Sequence, residues 1–374
     1  MFFRIDETIM SLIDQQMLPA NFTICIDELF RARRLGKHLI YCKPSLLEKI
    51  EALPDISGAT KLTIRKIKSL QRFKKSIFES MTTYVNVVAA PGTIRTVVVN
   101  GKNIIEISID NFASGDFLES TVLLAENITD CAIFQNIAKI KNSNSPCLQN
   151  LRLNAHFVSG GGSQTPRQFG INSSEKRLSL CIVDGDLEYE GASLGTNTAA
   201  PILQQYTNSP MPHCYPVILN CYSVENLIPL SLITKSTKQE LNQSVYLQEI
   251  EGLQKKDFWP YIPLKIGKDC TGFVNSGAKG SYWYQRKSGF TPKQQGCLTW
   301  SGGNCAPGCI VLDKMPDKTA RTVAEYLDST ITNGQFREVA RSVSTLPSEI
   351  DKLWNEISSH VNSWACSGDR ITAF

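Results

Sequence analysis

Leu178-Ser179-Leu180-Cys181-Ile182-Val183-Asp184-Gly185-Asp186 reads as a buried strand that stops on two carboxylates. Upstream, Thr121-Val122-Leu123-Leu124-Ala125 stops in the same way on Glu126. A third short apolar stretch, Ala155 to Val158, runs into the turn Ser159-Gly160-Gly161-Gly162. After Glu126, Thr129 to Lys141 carries Ile133, Ile137 and Ile140 at helical spacing, with Asn127 and Asp130 suited to a turn or cap at its start. Ser163 to Gly170 is expected to form a short helix or turn. Strand, helix, strand, short helix, strand predicts an α/β domain: a parallel sheet flanked by helices.

Ligands in such sheets bind beyond the C-terminal ends of the strands. Glu126, Asp184 and Asp186 are expected at that edge. Close carboxylates repel by roughly 4 kcal/mol per pair at about 4 Å and an effective dielectric of about 20. A divalent cation relieves that repulsion, and all-oxygen ligands suit Mg2+ or Mn2+. The expectation is metal-dependent phosphate chemistry.

At 374 residues the chain has room for two or three domains. Residues 1–115 are expected to be an N-terminal α+β region of helices followed by a hairpin. Residues 116–240 form the predicted catalytic α/β domain, and 241–374 a loop-rich and helical region. An apolar fraction of 42% and a charged fraction of 20% belong to an ordinary globular protein rather than a disordered chain. The formal charge of +4 is too small to indicate nucleic-acid binding by itself. No apolar run approaches the ~20 residues that span a bilayer, so no membrane partner is expected. Met1-Phe2-Phe3-Arg4 lacks the layout of a signal peptide, which predicts a cytoplasmic location.

The distribution of charge says more than its sum. Lys61, Arg65, Lys68, Arg72 and Lys75 fall on one face of a predicted helix over 61–75. That face is either a phosphate-contacting surface for nucleic acid or a solvated helix face. Asn100-Gly101 between apolar runs predicts a hairpin. Residues 255–312 are rich in aromatics, expected mainly in a core, with base stacking the alternative. Ile350, Leu353, Ile357, Val361 and Trp364 form an apolar helical stripe.

Twelve cysteines in a chain of this length, without a secretory leader, read as reduced thiols rather than a disulfide scaffold. Cys297, Cys305 and Cys309 stand apart in a glycine-rich loop, and Cys270 would complete a four-thiolate structural Zn2+ site. Their spacing is not that of a standard zinc finger, so ordinary thiols remain the competing expectation. None of the four histidines, His38, His156, His213 and His360, is paired at i, i+4, which argues against a histidine metal site. No GxxxxGK[ST] loop occurs, so ATP hydrolysis by this chain is not expected.

Taken in order, these segments resemble the Toprim fold of topoisomerases, bacterial primases and OLD-family nucleases. That family carries a glutamate after its first strand, matched by Glu126, and a later DxD pair, matched by Asp184 and Asp186. Tyr222-Ser223-Val224-Glu225-Asn226-Leu227-Ile228 is similar to the following stretch of OLD-type and standalone defence proteins, and Pro263-Leu264-Lys265-Ile266-Gly267 to a later lysine-glycine element. The resemblance spans 117–235 and, more weakly, 255–270. Toprim domains usually place glycine after the glutamate; Asn127 stands there, and asparagine tolerates left-handed conformations.

The resemblance implies a Mg2+-dependent (or Mn2+-dependent) nuclease acting on DNA or a structured RNA such as tRNA. Glu126, Asp184 and Asp186 would be its metal ligands, with Glu225 and Lys265 as further catalytic candidates. It also implies a toxic effector of bacterial anti-phage defence, controlled by a separate ATPase partner and acting as a homodimer. The alternative is a Toprim-like binding or assembly protein without catalysis. A third reading is a metal-dependent phosphatase or phosphotransferase acting on small molecules.

Overall fold

The computed structural model describes residues 1–237, 243–305, 307–333 and 335–372. The chain divides into two compact units, one of residues 1–182, 202–217 and 356–374, the other of residues 183–201 and 218–355.

The first unit opens on a five-stranded sheet built from β1 (Phe2–Ile5), β2 (Leu39–Tyr41), β3 (Thr83–Val88), β4 (Ile94–Val99) and β5 (Lys102–Ser108). Its order is β2-β1-β3-β5-β4; the first four run parallel and β4 is antiparallel to β5. The β4–β5 turn sits at Asn100 (φ 51°) and Gly101 (φ 74°), the paired left-handed geometry that favours Asn-Gly. Helices α1 (Thr8–Asp14), α2 (Phe22–Arg34), α3 (Pro44–Ala52), α4 (Gly58–Ser69) and α5 (Gln71–Ser80) connect the early strands. The expected single helix over 61–75 is therefore two helices, with Leu70 (φ −108°, ψ 4°) ending α4 and leading into α5. Phe2, Leu39, Ile77, Met81, Tyr84 and Ile104 form part of the core under this sheet.

A second sheet follows the predicted alternation. Its strands are β6 (Val122–Ala125), β8 (His156–Ser159), β9 (Ser179–Asp184) and β10 (Cys214–Leu219), in the order β10-β9-β6-β8; β7 (Arg152–Leu153) lies outside it. β6 is parallel to both β8 and β9, pairing Leu123 with Phe157 and with Leu180. Helices α6 (Ile128–Ser143) and α7 (Thr165–Ser174) are the crossovers. The fold is thus mixed α/β with parallel strands and flanking helices.

The second unit is helical and loop-rich. It contains α9 (Leu230–Ser236), which follows α8 (Ala199–Asn208) along the chain, then α10 (Gln243–Gln254) and α11 (Gly277–Arg286). A two-stranded antiparallel ribbon joins β11 (Lys268–Asp269) to β12 (Ile310–Leu312). Beyond it come α12 (Thr319–Thr332) and α13 (Phe336–Ser342). Helix α14 (Ser348–Ala365) belongs to the second unit up to Asn355 and to the first from Glu356, and its stripe of Ile350, Leu353, Ile357, Val361 and Trp364 is buried as its spacing predicts. Most of the aromatics of 255–312 are core: Trp259, Trp283 and Phe273 are fully enclosed, and Phe258, Phe273, Trp283 and Phe290 contact one another. No helix among the described residues is long and apolar enough to cross a membrane.

Candidate metal centres

Within the first unit, Glu126 follows the last residue of β6. Asn127 then caps α6 from extended backbone (φ −129°, ψ 156°), and its N–H donates to Asp130 Oδ2 at 3.1 Å. No left-handed residue is required after the glutamate, so asparagine in place of glycine costs this turn nothing. The glycine turn after β8 closes on the same point. Gly160 N–H donates to the Ala125 carbonyl at 2.7 Å, and Gly161 N–H and Ser159 Oγ donate to the Glu126 carbonyl at 3.0 and 3.2 Å. Gly160 admits no side chain, since a Cβ there would stand 2.3 Å from Thr165 Oγ1.

The other sequence-identified acids lie in the second unit. Asp184 and Glu225 are each only 8% exposed. Asp184 Oδ2 accepts from the Val224 N–H at 3.1 Å, which ties the end of β9 to the turn carrying Glu225. The Lys265 ammonium stands 3.4 Å from Glu225 Oε2 and 4.0 Å from Asp184 Oδ2. Asp186 adopts φ 52°, and its carboxylate lies against Gly195, where a Cβ would meet Oδ2 at 2.2 Å. Burial pushes the Asp186 carboxyl up, opposed by the Lys265 charge. Asp184, Glu225, Lys265 and Asp186 thus form one electrostatic neighbourhood.

Sequence reasoning passed over two residues that build this neighbourhood. Asn226 is fully buried: Oδ1 accepts from the Ser223 N–H and Oγ, while Nδ2 donates to the carbonyls of Trp259 (2.9 Å) and Ile262 (3.0 Å). It holds the Glu225 turn against the segment that leads to Lys265. Tyr222 is the second; burial raises its hydroxyl pKa, and the nearby carboxylates of Asp186 and Glu188 add to the rise. Both lie in the quoted motif, but a buried amide bonded to two distant carbonyls leaves no sequence signal of its own.

Cys270, Cys297, Cys305 and Cys309 converge in the second unit, their sulfur atoms all within 4.8 Å of one another. Among the described residues this is the group of three or more His, Cys, Asp or Glu side chains close enough to share one ion. Sulfur separations of 3.6 Å (Cys305–Cys309) and 3.8 Å (Cys297–Cys305) suit a tetrahedral ion. Four thiolates at about 2.3 Å from Zn2+ stand about 3.8 Å apart. Cys270 begins a turn directly after β11, and Cys309 immediately precedes β12, so the ribbon brings together thiols distant in sequence. A hydrogen bond from the Thr299 backbone leads the contributions that hold the Cys305 thiol down at about 6, whereas burial and the neighbouring cysteines push Cys309 up to about 12. One negative charge forms readily here and further ones resist; a bound cation would remove that resistance. The donor set fits zinc. The other eight cysteines take part in no disulfide among the described residues, and seven of them are buried.

The basic residues at 61–75 do not present one unbroken face. Arg65 Nε and Lys68 Nζ both bind Glu51 of α3, at 2.7 and 2.8 Å, and Lys75 lies 3.9 Å from Glu79. Lys61 is half-buried on α4, and the Arg72 side chain lies outside the described residues.

No protein-family model, no curated protein and no solved structure matches this chain.

Proposed function

We propose that the chain is a Mg2+-dependent (or Mn2+-dependent) nuclease whose chemistry centres on Asp184, Asp186 and Glu225, within a Toprim-like domain. The observation that carries this reading is the pairing of Asp184 with Glu225, two carboxylates 8% exposed each, around the single ammonium of Lys265. Buried carboxylates held together are costly unless a cation accompanies them. When bound, a divalent ion would supply a Lewis acid and a nucleophilic water at neutral pH. Asp184 and Glu225 would hold it, and Asp186, in the same electrostatic neighbourhood, would add negative charge rather than a third protein ligand. Lys265, nearly half exposed, would turn its ammonium to the charge developing on the attacked phosphate. The resemblance adds Glu126 as a further acid, DNA or tRNA as the polymer, homodimeric action and a partner ATPase in anti-phage defence.

Zn2+ in the Cys270–Cys297–Cys305–Cys309 cluster would be structural, since four protein thiolates leave no open position for substrate.

Cleavage of labelled DNA and of tRNA with Mg2+ tests the nuclease reading, comparing the wild type with Glu126→Gln, Asp184→Asn and Glu225→Gln. Metal-dependent cleavage abolished by Asp184→Asn supports it; equal activity in every variant refutes the assigned site. One observation favours the second reading, a non-catalytic binding protein: Lys265 already serves both carboxylates as a counter-charge. A wild type that cleaves neither polymer, and whose melting temperature ignores Mg2+, would select that alternative.

A further inference from the structure

Two clefts in the first unit are walled in part by residues of the segment 367–372, and Arg370 lines both. The larger, about 890 Å³, has Arg33, Arg65 and Lys66 among its walls; the other, about 670 Å³, has Lys139 and Arg152. Six cations therefore face these clefts against one carboxylate, that of Asp369. Asp369 is already occupied, its carboxylate by Arg152 at 2.5 Å and its carbonyl by Arg33 at 2.8 Å. Arg33 is 3% exposed, and its Nε has no hydrogen-bond partner among the described residues, so it places a fixed positive charge beneath the floor. Leu62 and Leu70, 42% and 39% exposed, line the larger cleft beside the cations.

We infer that this double cleft is a binding track for single-stranded nucleic acid, with Arg65, Lys66, Arg370 and Arg152 meeting successive phosphates. Arg65 and Arg152 are already paired with Glu51 and Asp369 through their Nε atoms, which leaves the remaining guanidinium N–H groups as donors. A row of cations suits a ligand whose charge repeats along its length. The two exposed leucines give base faces an apolar surface, the combination that strand-tracking grooves use. A small anion would engage one cleft only; Arg370, shared between the two, joins them into a path. This track differs from the face expected at 61–75, of which it uses Arg65 alone. It rests on the reading of the chain as one that handles nucleic acid, but requires no catalysis.

Fluorescence anisotropy with a labelled oligothymidylate of about 20 nucleotides tests it, in magnesium-free buffer without chelator and over a range of salt concentrations. Arg65→Gln/Lys66→Gln and Arg152→Gln/Arg370→Gln should each weaken binding about fivefold or more at about 50 mM salt, and each should flatten the slope of log K against log salt by about 1.4. Lys49→Gln/Arg95→Gln, which removes exposed cations of the same unit outside the clefts, should change binding less than about twofold. Equal losses in the control and cleft variants would overturn the assignment, as would a wild type that fails to bind the strand. Because no metal is supplied, loss of nuclease activity in an active-site variant leaves this result readable, and a negative result here leaves the cleavage assay untouched.

Discussion

The Cys309 N–H donates to Cys270 Sγ at 3.1 Å, and the Cys270 N–H returns a bond to the Cys309 carbonyl at 2.8 Å. Donation to sulfur favours the thiolate, and the reciprocal backbone pair fixes two ligands of the cluster on adjacent strand ends. Protein purified from zinc-supplemented medium should carry about one Zn2+ per chain, as a closed four-thiolate site requires. Cys297→Ser should lose the metal and cost about 3 kcal/mol, or roughly 10 °C in melting temperature. Elemental analysis and thermal melts check this; a fully folded protein free of zinc would end the proposal.

Lys265 is the internal counter-charge of Asp184 and Glu225, so its removal should be felt most when no metal is present. Lys265→Met is expected to destabilise the magnesium-free protein by about 1–2 kcal/mol, a modest figure because the ammonium is nearly half exposed. Millimolar Mg2+ should recover most of that loss, and recovery should disappear when Asp184→Asn and Glu225→Gln are added. Melting curves with and without Mg2+ decide it. A Lys265→Met protein indifferent to Mg2+ would argue against a cation site on these carboxylates.

The strands β6, β8 and β9 were legible because each apolar run stops on a residue that breaks it: Glu126, the glycines after Ser159, and Gly185 after Asp184; their order in the sheet was not. The hairpin was legible because Asn100-Gly101 has a single strong meaning. By contrast, β1 and β2 are four and three residues long and mostly buried, so no alternation marks them, and short apolar runs between helices read as helix. Those two strands turn the expected helical start into a five-stranded, largely parallel sheet. The break at Leu70 carries no glycine or proline, so a periodic basic pattern ran straight across it. Of the site, the carboxylates were visible as strand ends and the four cysteines as a loop anomaly. Asn226 and Tyr222, which support the acidic site, and Glu51, which binds Arg65 and Lys68, act through contacts made only once the chain folds.

Asn226 should prove as important to the acidic site as any carboxylate, though it bears no charge. Asn226→Ala leaves the Ser223 N–H without its acceptor in a fully buried setting and removes one of two donors from each of the Trp259 and Ile262 carbonyls, which keep the N–H groups of Ile262 and Leu264. One unsatisfied group costs about 1–3 kcal/mol and each further lost bond about 1 kcal/mol, so a total near 3 kcal/mol is expected after partial relaxation. Asn226→Asp would remove the same donors and bury a charge, and should be at least as damaging. Chemical denaturation measures both. A loss below about 1 kcal/mol for either variant would show that the turn is held by other contacts.

Acid should weaken the protein before its carboxylates titrate. Burial pushes the pKa values of His38, His213 and His360 down, that of His38 furthest. His213 Nε2 lies 3.0 Å from the Ser173 carbonyl and donates to it, while Nδ1 is buried without a partner among the described residues, the arrangement of a neutral ring. The folded state therefore binds protons less readily than the unfolded chain, whose histidines titrate near 6.5. Stability from these groups is present above that value and is lost as pH falls through it, toward the lower pKa values of the folded rings. Melting temperature should decline between about pH 6.5 and pH 5. His213→Gln, which preserves a donor toward Ser173 but cannot gain a proton, should flatten the decline even if it lowers stability at pH 8. A profile unchanged by this substitution would exclude His213 from the acid response and leave His38 and His360 to account for it.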